Sequence, residues 1–119
     1  MSTPYIIVCT TFDNQEEAEK ITQMLLEKRL VSCCQISHIE SAYHWKGEIK
    51  RAKEVKAEMK TKRELFPQIA AIITDEHSYE VPQIIAYEIL DGSAPFLQWI
   101  GAETLQLNDQ SLKPKPNKA

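Results

Sequence analysis

Glycine is scarce in this 119-residue sequence, which contains only Gly47, Gly92 and Gly101. Phosphate-cradling loops need several glycines within a few residues, so dinucleotide fingerprints and P-loops are excluded. Three cysteines without a CxxC pair predict neither a disulfide framework nor a zinc ribbon. A formal net charge of −3 argues against a nucleic-acid partner, and no apolar run approaches the ~20 residues of a membrane span. We therefore expect a reduced, cytoplasmic protein that binds neither nucleic acid nor membrane.

The first third of the chain predicts a strand followed by a helix. Residues Tyr5–Phe12 are uncharged and rich in β-branched and aromatic side chains, as in a strand covered on both faces. Asp13 or Asn14 then offers a helix N-cap. Apolar residues follow at helical spacing, namely Ala18, Ile21 and Leu25.

A long hairpin is predicted in the middle of the chain. Residues 31–45 form its first strand, irregular because it contains serines and the adjacent Cys33 and Cys34. A turn at Gly47 leads to a strand in which apolar and charged residues alternate strictly from Glu54 to Lys60. We expect Glu54 to open this half-buried strand. Cys33 and Cys34 point to opposite faces, so packing is their simplest role.

The last third predicts a second helix, a strand at Ile84–Ile89 and a short third helix. Pro95 suits the start of that third helix, and Gly101 is placed to cap its end. Polar, proline-broken residues 108–119 predict a disordered tail, which leaves residues 1–107 as a single domain.

The element order β-α-β-β-α-β predicts an α+β, ferredoxin-like sandwich with a long hairpin arm and a short C-terminal helix. Both long helices then cover one face of the sheet and leave the other face bare. Because the first and fourth strands are apolar on both alternations, we expect a homo-oligomer. Lys56, Glu58 and Lys60 share the bare face, where they line a wet interior or form pairs between subunits.

Three scattered side chains are candidate metal ligands. We place Cys9 near the end of the first strand, where its thiol is either a core residue or a soft ligand for Cu(I) or Zn. His77 follows the second helix, in a loop, as positioned ligands or titrating groups often do. Glu54 would add a carboxylate. No two of these residues have a short ligand spacing, so sequence logic alone does not join them, and no catalytic signature predicts an enzyme.

Four large aromatic residues stand out, namely Tyr43, Trp45, Tyr79 and Trp99. Aromatic side chains are enriched in the cores of interfaces, so subunit packing is the favoured interpretation. The more specific alternative is that these aromatic residues form a surface on which nucleic-acid bases stack. The acidic balance and the lack of aromatics in the third strand disfavour it.

Several sequence stretches resemble the CutA family of divalent-cation tolerance proteins. In order, they are Glu27 to Leu30 ahead of Cys33, Ser41 to Gly47, Glu54 to Thr61, His77 to Pro82 and Phe96 to Ile100. The resemblance covers residues 5 to 101. Ser78 stands where the family usually has proline, and Gln83 where it usually has glutamate. Lys56 and Glu58 interrupt a strand that is usually apolar.

The resemblance implies a cytoplasmic homotrimer whose arms extend sheets across subunits, similar in architecture to PII signalling proteins. It also implies a link to copper and other divalent metals, with Cys9, Glu54 and His77 as the proposed ligands. Two main hypotheses follow. The first is a trimeric copper-type metal-binding protein; the second is a PII-like trimer that binds a small anion or a protein partner in a cleft lined by Lys60, Tyr79 and Trp45. A third hypothesis is an enzyme of the acylphosphatase type, but this sequence lacks the glycine-rich anion loop that such an enzyme needs before its first helix.

Overall fold

The structure is a computed structural model that describes residues 3–106. Within this range four strands form one antiparallel sheet, accompanied by three helices. The elements are, in order, β1 (Tyr5–Phe12), α1 (Gln15–Glu27), β2 (Cys33–Trp45), β3 (Glu48–Lys62), a 3₁₀ turn (Arg63–Leu65), α2 (Phe66–Glu76), β4 (Ile84–Glu88) and α3 (Ala94–Glu103). The strands lie in the order β2-β3-β1-β4. This confirms the α+β prediction. The predicted tail at 108–119 lies outside the described residues.

The hairpin of β2 and β3 is paired along its whole length, from Cys33 opposite Lys60 to Trp45 opposite Glu48. Lys46 and Gly47 have φ angles of 51° and 82°, so both occupy the left-handed region that a two-residue hairpin turn requires. Strand β3 therefore begins at Glu48, and the expectation that Glu54 opens it was wrong. The outer arm covers no core, so its residues lack the apolar alternation that marks a half-buried strand.

The hydrophobic core lies between one face of the sheet and helices α1 and α2. Val55, Ala57 and Met59 point into it, as their alternation predicted. The side chains of Ile6, Val8 and Phe12 from β1 occupy the same face. Helix α1 begins at a predicted cap, because the Asn14 side chain accepts a hydrogen bond from the Glu17 N–H.

Two residues lie elsewhere than the sequence predicted. Cys9 occupies the middle of β1, paired with Glu58 on one side and with Ile85 on the other, and does not lie near the end of the strand where a loop begins. Gly101 lies inside α3 rather than at its end. A Cβ atom there would stand 2.6 Å from the Tyr5 hydroxyl, so close approach to Tyr5 accounts for this glycine.

The face of the sheet opposite α1 and α2, here the open face, bears the side chains of Cys9, Lys56 and Glu58. The Lys56 ammonium lies 4.0 Å from the Glu58 carboxylate, so the two charges pair along the strand. Strand β4 exposes Ile85 and Tyr87, which are 41% and 48% accessible. Within residues 3–106, β2 and β4 are the sheet's edges. The helices of this range are all too short or too polar to cross a membrane.

Candidate functional site

A cavity of about 740 Å³ lies between the hairpin arm and the loop that joins α2 to β4. Residues Ser41 to Trp45 of β2 form one wall, and Ser78 to Val81 of the loop form another. Lys50 and Glu54 of β3 complete its floor. The pairing of Tyr43 with Lys50 and of Ile39 with Glu54 places these residues on the open face. The arm therefore builds a pocket beside the sheet.

His77 holds the loop against the sheet. Its ring stacks on Phe12, with centroids 4.9 Å apart and planes 9° from parallel, and contacts Tyr79 at 4.7 Å. Nδ1 accepts a hydrogen bond from the Tyr79 N–H at 3.0 Å, so the neutral ring carries its proton on Nε2 and donates it to the Thr11 carbonyl at 2.7 Å. The side chain is fully buried. Both nitrogens are thus engaged, and His77 acts as a clamp between α2 and β1.

Glu54 and Tyr79 form the polar centre of the cavity. The Tyr79 hydroxyl donates to Glu54 Oε2 at 2.7 Å, and Glu54 is only 7% exposed. Burial, and then the hydrogen bond and charge of Glu54, raise the pKa of Tyr79 well above its ordinary value. The phenol therefore stays protonated and remains a donor at neutral pH. Within residues 3–106 no cationic side chain forms an ion pair with Glu54.

Glu17 anchors the next residue of the loop. Its carboxylate accepts hydrogen bonds from the Ser78 N–H at 2.7 Å and from the Ser78 hydroxyl at 3.0 Å. Proline, the residue expected at this position from the resemblance, has neither donor. The serine therefore fixes the loop to the first turn of α1 through two bonds that proline cannot make.

Cys9 lies apart from this group. Its thiol is 1% exposed and sits 3.8 Å from the Gln83 side-chain amide. Burial raises the pKa of the thiol, an effect that Lys56 opposes and Glu58 reinforces. Cys9 does not line the cavity that contains Glu54. Burial therefore disfavours the thiolate form and limits the access of reagents to the sulfur.

The candidate ligands Cys9, Glu54 and His77 do not fit a metal ion within a single chain. Both nitrogens of His77 are hydrogen-bonded, the Cys9 thiol is buried elsewhere, and Glu54 binds Tyr79. Across residues 3–106, no three His, Cys, Asp or Glu side chains lie close enough together to hold a metal.

Of the residues that were expected to line a cleft or to pack between subunits, some line the cavity and others do not. Tyr43, Trp45 and Tyr79 line the cavity. Lys60 does not, and its ammonium donates to Gln35 Oε1 at 2.7 Å. Trp99 stacks on Phe96 at 5.5 Å on α3 and is 40% exposed.

The sequence reasoning missed Lys50, Ser78 and Glu17 as residues of the site. Lys50 was detectable, because residues four apart on a strand share a face and Glu54 was already a candidate. Ser78 was noted only as a departure from the family pattern. The contact of Glu17 with the loop spans 61 residues of sequence, so no local signal reveals it.

Known proteins share this fold and much of this sequence. A family model described as CutA1 divalent ion tolerance protein matches residues 6–103. A divalent-cation tolerance protein CutA of Pyrococcus horikoshii is 38% identical over 99 residues, covering 83% of this chain and 97% of that protein. The bovine protein CutA is 35% identical over 87% of this chain, which spans only 59% of the bovine protein. The crystal structure of CutA1 from a psychrotrophic Shewanella superposes with a TM-score of 0.84 at 32% identity, covering 89% of this chain and all of that one.

Proposed function

The chain belongs to the CutA1 divalent ion tolerance family, as its motifs predicted, and on this basis we propose that it acts in divalent-cation tolerance as a homotrimer. The family description names tolerance to divalent ions and no reaction, so we propose no catalytic activity. The sheet order and the placement of α1 and α2 on one face support the ferredoxin-like arrangement. The cytoplasm stays the proposed location, and fractionation of the source cells tests it.

The observation that supports self-association is the apolar surface around β4. Large apolar side chains are exposed on β4, in the segments that flank it and on α3, namely Val81, Ile85, Tyr87, Leu90, Phe96 and Trp99. Monomeric soluble proteins rarely expose several such residues together. Within residues 3–106, strands β2 and β4 also form the two edges of the sheet, where strands from other subunits can be added. We propose that other copies of the same chain cover the apolar surface and pair with the strand edges.

Sedimentation velocity at micromolar concentration tests this assembly. We expect a particle of about three times the 13.7 kDa chain mass. Tyr87→Lys places a charge on the open face of β4 and is expected to dissociate the particle. Ala71→Lys, on the exposed surface of α2, is the matched control and is expected to remain assembled. A stable wild-type monomer would contradict the proposal.

A more specific proposal concerns which ion binds and where it binds. Thiol and imidazole groups suit copper and zinc, but one chain does not gather Cys9, Glu54 and His77. We propose that copper binds only to the assembled protein, with donors from more than one subunit. Copper analysis after gel filtration is expected to find the metal with wild type and Ala71→Lys but not with Tyr87→Lys. Equal copper content in all three would refute the shared site.

The small-anion alternative has no support in the geometry. Its cleft was expected to contain Lys60, and that ammonium lies outside the cavity and is bonded to Gln35. Glu54 places a buried negative charge at the point where an anion would have to sit.

A further inference from the structure

We propose that the bond between Asp91 and Gly92 is a site of spontaneous covalent modification, at which a succinimide forms and opens to an isoaspartyl linkage. The partner that this chemistry implies is an enzyme of the class that methylates isoaspartyl carboxylates with S-adenosylmethionine. The reaction needs one chain and water. The inference therefore depends neither on self-association nor on a role in divalent-cation tolerance.

The residue that follows Asp91 is the first reason. In this reaction the backbone nitrogen of the next residue attacks the side-chain carbon of an aspartate. Glycine hinders the approach least, because it has no Cβ atom and its backbone adopts many conformations. The three glycines of the chain follow Lys46, Asp91 and Ile100. Asp91 is therefore the only aspartate that precedes a glycine, and no asparagine does so.

The geometry of the turn is the second reason. The Gly92 N–H donates a hydrogen bond to Oδ1 of Asp91 at 2.8 Å. Because the carbon–oxygen bond is only about 1.2 Å long, the Cγ atom of Asp91 lies within about 4 Å of the Gly92 nitrogen. Reacting atoms in a near-attack arrangement are about 3–3.5 Å apart. A rotation of the Asp91 side chain is enough to reach that distance.

The setting of the two residues is the third reason. Asp91 and Gly92 lie between β4 and α3, beyond the last pair of β1 and β4, which joins Ile6 to Glu88. Both residues are exposed, so water reaches them. Within residues 3–106 no cationic side chain forms an ion pair with Asp91. Neither a ladder of backbone hydrogen bonds nor an ion pair therefore prevents the rotation.

The chemistry balances with water alone. The Gly92 nitrogen forms a bond to Cγ of Asp91, and the amide proton leaves with the carboxyl OH group as water. A second water molecule then opens the five-membered ring. Attack at Cγ restores the aspartate. Attack at the backbone carbonyl carbon of Asp91 breaks its bond to the Gly92 nitrogen, so that the chain continues through Cγ and the former backbone carbonyl becomes a free carboxylate.

The new linkage adds one methylene group to the backbone between β4 and α3. The two ends of this connection are fixed by hydrogen bonds, from the Ile89 N–H to the Tyr5 carbonyl and from the Leu97 N–H to the Ser93 carbonyl. The exposed turn between them has to accommodate the additional atom. The free carboxylate next to this linkage is the group that isoaspartyl methyltransferases modify.

The test incubates the full-length protein at 37 °C in mildly acidic buffer for several weeks, then unfolds it and digests it with a protease that cleaves after glutamate. Residues 89–103 form one peptide, in which Asp91 is the only aspartate. We expect a growing fraction of this peptide to keep its mass, to change its chromatographic retention and to accept a labelled methyl group from S-adenosylmethionine in the presence of an isoaspartyl methyltransferase. Residues 1–16 form the internal control, because their one aspartate, Asp13, is exposed but precedes Asn14. We expect no such change there.

Two variants assign the reaction to this bond, with the methyl groups counted on the whole unfolded chain. Asp91→Glu keeps the charge but would have to form a six-membered ring, so the methyl acceptance that develops in the wild type is expected to be lost. Gly92→Ala adds a Cβ atom that meets only the flexible Leu97 side chain, at 3.1 Å, and is expected to slow the reaction several-fold. Circular dichroism checks that both variants fold.

Three results would overturn the proposal. They are the absence of an isoaspartyl form at Asp91 after incubation, equal accumulation at Asp13, and an undiminished rate in Gly92→Ala. Because these readouts use the unfolded or digested chain, neither the oligomeric state nor the metal content enters them.

Discussion

The close approach of α3 to Tyr5 makes a sharp prediction about Gly101. A Cβ atom at Gly101 would lie 2.6 Å from the Tyr5 hydroxyl oxygen but 3.5 Å from the nearest ring carbon. In the wild-type background, Gly101→Ala therefore forces Tyr5 or the helix to shift. Such overpacking costs about 1–3 kcal/mol. The gain in helix propensity of about 1 kcal/mol only partly offsets it.

Tyr5→Phe removes the one atom that conflicts with the new methyl group. Within residues 3–106 the Tyr5 hydroxyl has no hydrogen-bond partner, so the single change is expected to cost little. In this background Gly101→Ala meets only ordinary contact at 3.5 Å. Its effect should change sign, to a stabilisation of up to about 1 kcal/mol.

Urea unfolding followed by circular dichroism, at one fixed protein concentration, measures all four proteins of this cycle. Fixed concentration matters because self-association contributes to apparent stability. If Gly101→Ala destabilises the protein equally with Tyr5 and with Phe at position 5, the steric explanation of this glycine is wrong.

Four further predictions follow from the contacts of the site and of the core. Ser78→Pro removes both donors to Glu17 and should lower the unfolding free energy by about 1–3 kcal/mol; Ser78→Ala, which keeps the N–H, should lose less in the same urea assay. Lys62→Met removes the ammonium that donates to the carbonyls of Thr104 and Leu105, just after the end of α3, and should cost about 1–2 kcal/mol in thermal unfolding; an unchanged melting temperature would show that these bonds contribute nothing to stability. The folded-state pKa of Tyr79 is raised above its ordinary 10.0, so its contribution to stability is complete below pH 10 and is lost as the pH rises further; Tyr79→Phe should reduce the decline in stability above pH 10. The Cys9 thiol should resist iodoacetamide in the folded protein and react after unfolding in urea, as mass spectrometry of digests would show, and rapid native labelling would contradict its burial.

The sequence predicted the sheet wherever the sheet covers the core. Val55, Ala57 and Met59 alternate with charges because one face of β3 packs against α1 and α2, and their burial confirms that pattern. The outer arm carries no such pattern, which is why Glu54 was placed at the start of a strand. Gly101 was misjudged for a related reason: its constraint comes from Tyr5, 96 positions away, and not from the helix end.

The site was predictable in its parts but not in its arrangement. Glu54 and His77 were predicted as candidate metal ligands, and Tyr79 as an aromatic residue of a cleft or of subunit packing. That the Tyr79 hydroxyl binds Glu54, and that both His77 nitrogens are occupied, depends on how the loop folds onto β1 and the arm. The resemblance to the family, and not the spacing of the residues, grouped Cys9 with Glu54 and His77, and within a single chain the structure places Cys9 outside the cavity that contains Glu54.

Because the register of the hairpin arm is uninterrupted, the length of the arm can be changed in a predictable way. From Cys33 opposite Lys60 to Trp45 opposite Glu48, each residue has one partner and no bulge intervenes. Adding two residues to each strand next to the tip would lengthen the arm by about 7 Å and keep every side chain on its own face. Adding one residue to each strand on the core side of Tyr43 and Lys50 would instead send the aromatic side chains of the arm to the opposite face. The arm can therefore be lengthened at its tip without changing the lining of the cavity, whereas an odd insertion nearer the core would turn the aromatic wall away from Glu54.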